Sequence, residues 1–442
     1  MRLLATIALT ASFAAGQSPT FYRDVAPVLE KHCQECHRPG EAAPMSLLTY
    51  SEARPWAKAI KQAVLSHKMP PWYADPHFGK WSNDRSLSQA EANTLAAWVD
   101  SGAKEGNPKD APKPVTFAEG WTIGKPDVVI DMGVDFKVPA QGTVEYTYFA
   151  SPTGFTEDKW IKDIEVLPGN RGVVHHIVLF SRPKTSKAMQ EIKVGVPFVE
   201  PKSKQETEHH PTESDRALLF GIGMDTTEMI GVYVPGGVAY KTLDGQARLI
   251  PAGSDLIFQI HYTANGKEGI DRSKVGMTFA KEPPKERVVN AFIMNTTLHI
   301  PPGDPNHRVD GIVTLQHEAK LQSLFPHMHL RGKAFEYTVK YPDGRTETLL
   351  NVPKYDFNWQ LTYYLDKPLT LPPGTQLKAT AYYDNSPNNP YNPDPKKDVY
   401  WGDQSWEEML AGFVDFAIPV EVNPVELVRP KRADKPSTGS GE

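Results

Sequence analysis

Cys33-Gln34-Glu35-Cys36-His37 decides how the amino-terminal part of this chain must fold. Two thiols one helical turn apart, followed at once by an imidazole, form the attachment sequence of a c-type haem. Each thiol can add to one vinyl group of the porphyrin, which leaves the imidazole beneath the iron as its proximal ligand. These are the only 2 cysteines in 442 residues. A structural zinc wants four Cys or His ligands, and no second cysteine pair completes a set. A dithiol redox motif would sit in a βαβ context that the flanking sequence lacks. The motif therefore predicts covalent haem c on Cys33, Cys36 and His37. With both thiols so engaged, no disulfide is left to brace the rest.

Outward from the motif the sequence reads as helices. Phe21, Val25, Val28 and Leu29 fall on one face of a segment from Phe21 to His32 that runs straight into Cys33. A second helix is predicted from Ser51 to Ser66, with Trp56, Ile60 and Val64 on one side. A third starts at Ser88, where Glu91 three residues on makes a capping box; Leu95, Trp98 and Val99 form its apolar side and Gly102 closes it. Three short helices around C-x-x-C-H make a small all-α cytochrome c domain, assigned to 17–112. Its sixth iron ligand is expected in Lys68-Met69-Pro70-Pro71-Trp72, where two prolines stiffen the chain behind a thioether. Met69 is the preferred ligand, since His/Met ligation raises the reduction potential; His67 and Met45 remain alternatives.

Ahead of this domain, Arg2, the apolar run Leu3 to Ala15 and the small residues Ala14-Ala15-Gly16 read as a signal peptide, 1–16. Export to a bacterial periplasm, or secretion, is the expected location. The apolar run is too short to span a bilayer, so no membrane span is expected. A net charge of -5 with no basic stripe speaks against nucleic acid as a partner.

Beyond a polar linker at 106–113 the composition changes. The chain carries 40 prolines with only 40% hydrophobic residues, which suits short strands and loops. Val173 to Phe180, Leu256 to Thr263, Phe357 to Leu365 and Leu377 to Tyr383 are β-branched and aromatic runs bounded by turn residues. Phe335, Tyr337, Val339 and Tyr341 alternate ahead of Pro342-Asp343-Gly344, a hairpin turn. A charged stretch at Lys281 to Lys285 divides the region into two antiparallel, jelly-roll-like β-sandwich domains, 113–284 and 285–424, and 425–442 reads as a disordered tail.

Histidines stand on these strands where a packed sandwich would prefer aliphatics: His175-His176, His261, and His327-x-His329. Two residues apart on a strand, His327 and His329 leave the same face and can grip one ion. The adjacent pair can serve one metal only if its strand is twisted or bulged. His209-His210 sits in a Glu- and Lys-rich stretch and reads as solvated loop. His32, His77, His299, His307 and His317 read as surface or satisfied residues.

Four patches together resemble the copper type II, ascorbate-dependent monooxygenases, which include peptidylglycine hydroxylating monooxygenase and dopamine β-monooxygenase. Val174-His175-His176-Ile177-Val178-Leu179-Phe180 is similar to the family's paired-histidine strand, Gln259-Ile260-His261-Tyr262 to its Q-x-H-Y strand, His327-Met328-His329 to its H-x-H, and Glu408-Met409 to its glutamate-methionine. Their order and rough spacing agree over about 120–416. The resemblance implies two copper ions. His175, His176 and His261 would hold the electron-transfer copper; His327, His329 and Met409 would hold the copper that meets dioxygen. Imidazole suits copper in both oxidation states, and a soft thioether favours Cu(I). Gln259, on the same strand face as His261, is a candidate hydrogen-bond partner behind that metal.

The chain departs from the family where the peptide-amidating member anchors its substrate. The positions of the arginine, asparagine and tyrosine that hold a carboxylate there are Phe325, Ala411 and Phe413 here. Peptide amidation is thus not expected, and the substrate surface reads as apolar. The expected function is an oxidoreductase: a copper-dependent monooxygenase that hydroxylates a C–H bond of a small organic substrate with O2. Its electrons would arrive from a donor through the haem. The alternative is a non-catalytic haem and copper protein for electron transfer or copper handling.

Overall fold

Ser88 opens the longest helix as its sequence demands. Its hydroxyl accepts from the Glu91 N–H at 3.2 Å, and the Glu91 carboxylate accepts from the Ser88 N–H at 2.8 Å, so two N–H groups that the helix cannot satisfy are closed off. Gln89–Asp100 follows and buries Leu95 and Trp98. Gly102 ends it at φ +95°, a conformation that favours glycine, and Ala103 N–H returns to the Trp98 carbonyl at 2.8 Å.

The computed structural model describes residues 18–41, 43–117, 120–199, 227–402 and 404–428. The signal-peptide reading, His209-His210 and the tail from 429 onward lie outside the described residues. Two compact units separate: one comprises the chain up to Pro71 together with Arg85–Thr116, the other Trp72–Asp84 together with the chain from Phe117 on.

In the helical unit the first segment winds as a π-turn, Phe21–Val25, and then as the α-helix Ala26–His32. All four residues expected on its apolar face are buried. The second helix differs from expectation. Tyr50–Ala53 and Ala57–Leu65 are separated by the 3₁₀ turn Arg54–Trp56, because Pro55 has no N–H to give and tightens the chain. That change of phase turns Trp56 outward, 43% exposed, while Ile60 and Val64 remain in the core.

The second unit is β-rich. Its amino-terminal half packs a sheet ordered Thr147–Pro152, Asp255–Tyr262, Val174–Arg182 and Glu228–Tyr233 over part of a larger sheet. Its carboxy-terminal half packs His307–Thr314, Gln376–Tyr383, Gly332–Lys340 and Thr346–Val352 over the rest of that sheet. Each half thus has its own apolar core between two layers. The larger sheet joins them, running Val128–Asp131, Lys274–Phe279, Lys159–Leu167, Gln246–Ile250, Glu286–Met294, Ala411–Pro419, Ala319–His327, Tyr363–Leu371. The join is a short parallel pairing, Glu286 with Gln246 and Arg287 with Ala247. The charged stretch at 281–285 therefore divides two cores but not two sheets.

A buried charge network crosses the same join. Arg248 donates to Glu228 at 3.1 Å and to Asp415 at 2.7 Å, and its guanidinium lies 4.4 Å from the Tyr240 ring. Asn290 and Ser323 donate to Asp415 at 2.9 and 2.8 Å. Taking these charges out of water is costly, and only this full set of partners makes it tolerable.

Three segments correct the sequence reading. Trp72–Asp84, expected within the cytochrome domain, groups with the β unit: Trp72 and Trp81 set their rings against Tyr363 at 4.9 and 5.4 Å, and Asn83 donates to the Thr362 carbonyl at 2.8 Å. The strand expected from Phe357 begins only at Tyr363, which leaves 357–362 as a loop. The tail expected from 425 starts with a 3₁₀ turn, Pro424–Leu427, whose Leu427 is buried and accepts from Gln316 N–H at 2.7 Å.

Candidate metal centres

Three histidines meet on one sheet of the amino-terminal half. His176 lies opposite His261 in the antiparallel register, and the register slips between Val174 and His176. That slip is the bulge the adjacent pair requires. One extra residue in a strand puts neighbours that would alternate onto a common side. His175 and His176 bring their Nδ1 atoms to 3.1 Å, and all three residues offer a nitrogen within 4.8 Å of the others. The ring centres form a nearly equilateral triangle of 5.2, 5.1 and 5.1 Å. The centre of such a triangle lies about 3 Å from each ring, which suits an ion bound at about 2 Å from an imidazole nitrogen.

The electrostatics agree with that geometry. Burial, helped by the neighbouring His175, lowers His261 to about 3, and burial with the surrounding imidazoles pushes His176 well below its ordinary value. Neutral rings keep their lone pairs for a metal. The Nδ1 of His261 is buried with no hydrogen-bond partner, a cost that a bound cation would remove.

In the carboxy-terminal half, His327 ends the strand Ala319–His327 and His329 follows it, their rings 5.1 Å apart. Here the Nδ1 atoms are spoken for. Gln360 takes that of His327 at 2.6 Å, and the Glu407 carbonyl takes that of His329 at 3.2 Å. Each ring is thereby held in the tautomer that leaves Nε2 bare. Burial lowers His327 to about 4, against the bond to Gln360, and holds His329 well below its usual range. Met409 lies two residues before Ala411, the register partner of His327, and its neighbour Glu408 accepts the His329 N–H at 2.9 Å. The second cluster thus brings two imidazoles together where the first brings three.

Sequence reasoning left the two clusters unrelated in space; the structure sets them side by side. The buried Tyr146 ring lies 5.6 Å from His176, 4.8 Å from His261 and 6.5 Å from His329. Phe357 lies 5.8, 6.0 and 6.4 Å from His175, His261 and His329. Phe325 and Phe413 stack 5.4 Å apart and stand 6.3 and 6.0 Å from His327. With Val178 and Met229 they form an apolar wall between the halves. Met229, Phe325 and Phe413 also line a cavity of about 30 Å³ that reaches Arg248 and Asp415.

Tyr146, Phe357 and Gln360 escaped the sequence reading. Phe357 and Gln360 fell inside a segment expected as strand, and nothing local to Tyr146 marks it. Gln259 is a correction: its amide donates to the Tyr148 hydroxyl at 2.7 Å instead of serving His261. The remaining histidines are satisfied as expected where partners are described. His32 meets Glu91, His77 meets Asp75, His299 meets Asp398 and His307 meets Asp304.

In the helical unit, Cys33 closes Ala26–His32, and the His37 N–H returns to the Cys33 carbonyl at 2.9 Å. Both thiols are free of any disulfide. Burial pushes Cys33 up to about 12 and raises Cys36 as well. The His37 Nδ1 meets the Met45 carbonyl at 3.3 Å, which leaves Nε2 as the candidate ligand atom. Met69 is partly buried, its N–H 3.2 Å from the Ala63 carbonyl, and His67 is exposed at φ +55°.

Comparison with known proteins adds no family. No protein-family model matches the chain, and no curated protein does. Among solved structures, PNGF-II is matched over 67% of this chain and 65% of its own, at 8% identity and a TM-score of 0.28. The VP2 subviral particle of infectious bursal disease virus is matched over 68% and 76%, at 11% identity and a TM-score of 0.20. The major capsid protein P2 of bacteriophage PM2 is matched over 67% and 99%, at 12% identity and a TM-score of 0.21. Likenesses this remote leave the histidine clusters and the C-x-x-C-H turn to speak for the chain.

Proposed function

We propose that this chain is an exported copper-dependent monooxygenase: a c-type cytochrome domain followed by two jelly-roll-like sandwiches that hold two unlike coppers. The observation that carries the reading is the pair of neutral histidine clusters, one of three imidazoles and one of two, flanking the same Tyr146 and Phe357 rings. His175, His176 and His261 would hold one copper, and His327, His329 and Met409 the other. When bound, the haem would supply electrons one at a time and the coppers the activation of O2.

The protein's own residues prepare that chemistry. Gln360 and the Glu407 carbonyl hold Nδ1 of His327 and His329, which would leave Nε2 of each for the metal. Tyr146 and Phe357 line both clusters, and Phe325 with Phe413 would offer an apolar face beside His327, suited to a small organic substrate without a carboxylate. In the helical unit, Cys33, Cys36 and His37 would hold haem c. Met45 engages His37 through its backbone carbonyl, and Met69 would supply the second ligand to the iron.

Metal analysis with electron paramagnetic resonance on the full chain tests the reading. One haem and two coppers with unlike Cu(II) signals are expected; zinc in the three-histidine cluster or cysteines free of haem would overturn it. Met409→Ala is expected to abolish oxygen consumption with the three-histidine copper still bound. Unchanged consumption would favour a copper-handling protein instead.

A further inference from the structure

Met409 lies outside the ladder that carries its neighbours. The pairing of Ala319–His327 with Ala411–Pro419 stops at His327 opposite Ala411. Between Gln404 and Leu410 the chain makes only an isolated bridge, Trp401 with Glu408. A thioether on such a segment needs another anchor, because a ligand must be held within about 0.5 Å by packing and hydrogen bonds.

The anchor is a carboxylate. Glu408 is fully buried; one of its oxygens accepts the His329 N–H at 2.9 Å, the other the Arg331 N–H at 2.6 Å. The Gly332 N–H closes the same turn on the His329 carbonyl at 3.0 Å. Arg331 reaches back to the segment, donating to the Trp406 carbonyl at 2.8 Å and to Asn385 at 2.9 Å. The Tyr383 hydroxyl donates to the Met409 carbonyl at 2.7 Å. Two converging N–H groups call for two acceptor oxygens. An amide in their place would turn a donor towards one of them.

We propose that Glu408 is the positioning residue of the thioether: its carboxylate ties the turn after His329 to the segment of Met409, so that imidazole and sulfur stand in one frame. The proposal rests on the reading in which Met409 joins His327 and His329 around a metal, and it goes beyond that reading in naming what holds the sulfur there. Glu408 touches neither metal nor substrate. Its effect is read through Met409.

X-ray absorption at the copper edge of the anaerobically reduced, copper-loaded full chain tests it. The wild type is expected to show a sulfur shell. Glu408→Gln is expected to lose at least half of it with copper content unchanged, and Glu408→Gln/Met409→Leu to look like Met409→Leu alone. If the amide variant fails to fold, Glu408→Asp, which keeps both oxygens but withdraws them by one methylene, is expected to show the same loss. A full sulfur shell in either folded variant overturns the proposal. So does a double variant that loses histidine-bound copper which Met409→Leu keeps, because Glu408 would then be a general fold residue. A wild type without a sulfur shell overturns the copper assignment itself.

Discussion

The two histidine clusters lie against the same aromatic rings but are built in opposite ways. His175, His176 and His261 sit on paired strands, and one bulge suffices to bring them together. His327 and His329 sit where a strand ends, and their orientation depends on Gln360, Glu407 and Glu408 from remote loops. A ladder repeats every two residues and positions side chains by register alone, whereas a strand end needs hydrogen bonds from elsewhere. The first cluster should therefore withstand the loss of distant partners that the second cannot.

The largest expected effect falls on what joins the halves. Arg248→Met leaves Glu228 and Asp415 buried with a cation missing, and should destabilise the β unit by about 3–5 kcal/mol in chemical unfolding. Each cluster lies within one half, so copper stoichiometry should stay unchanged below the transition. Loss of either copper there would mean that the clusters need each other. Next, Gln360→Leu should weaken copper at the second cluster by about 10–100-fold and leave the first untouched, in competition titrations followed by resonance signals. Equal weakening of both would erase the distinction.

Smaller effects belong to the helical unit, where stability is local. For the Glu91 carboxyl, burial alone would raise its pKa, but bonds from Ser88, His32 and Lys31 outweigh this and hold it at about 2. An unfolded Glu titrates at about 4.3. The contribution of Glu91 is thus complete above that value and is lost as pH falls through about 2. Glu91→Gln should flatten this acid limb in thermal unfolding of the helical transition. Ser88→Ala should cost about 1 kcal/mol at neutral pH. Neither change should touch copper binding, and a shift in either cluster would contradict the separation of the two units.

The same contrast explains what could be read in advance. Ser88, Glu91, Leu95 and Gly102 announced a helix because caps and periodicity are local rules. His327 and His329 were recognisable as a pair because i and i+2 share a face of an extended chain, although only His327 lies on the strand. His175-His176 could be read only conditionally, since a bulge depends on the partner strand. Trp56 was misjudged because Pro55 shifted the helical phase, and Phe357 and Gln360 because an aromatic, polar-tipped run suits a loop as well as a strand.

By itself the sequence determined the C-x-x-C-H turn, the helices around it, the β-rich character of the rest and the identity of the candidate ligands. All of these depend on residues within a few positions of one another or on donor chemistry. Only the tertiary structure decided that one sheet runs through both β halves, that Tyr146 and Phe357 stand against both clusters, and that Gln360, not Gln259, serves a ligand. Those relations join residues tens to hundreds of positions apart, and the packing of whole faces, not local preference, determines which of them meet.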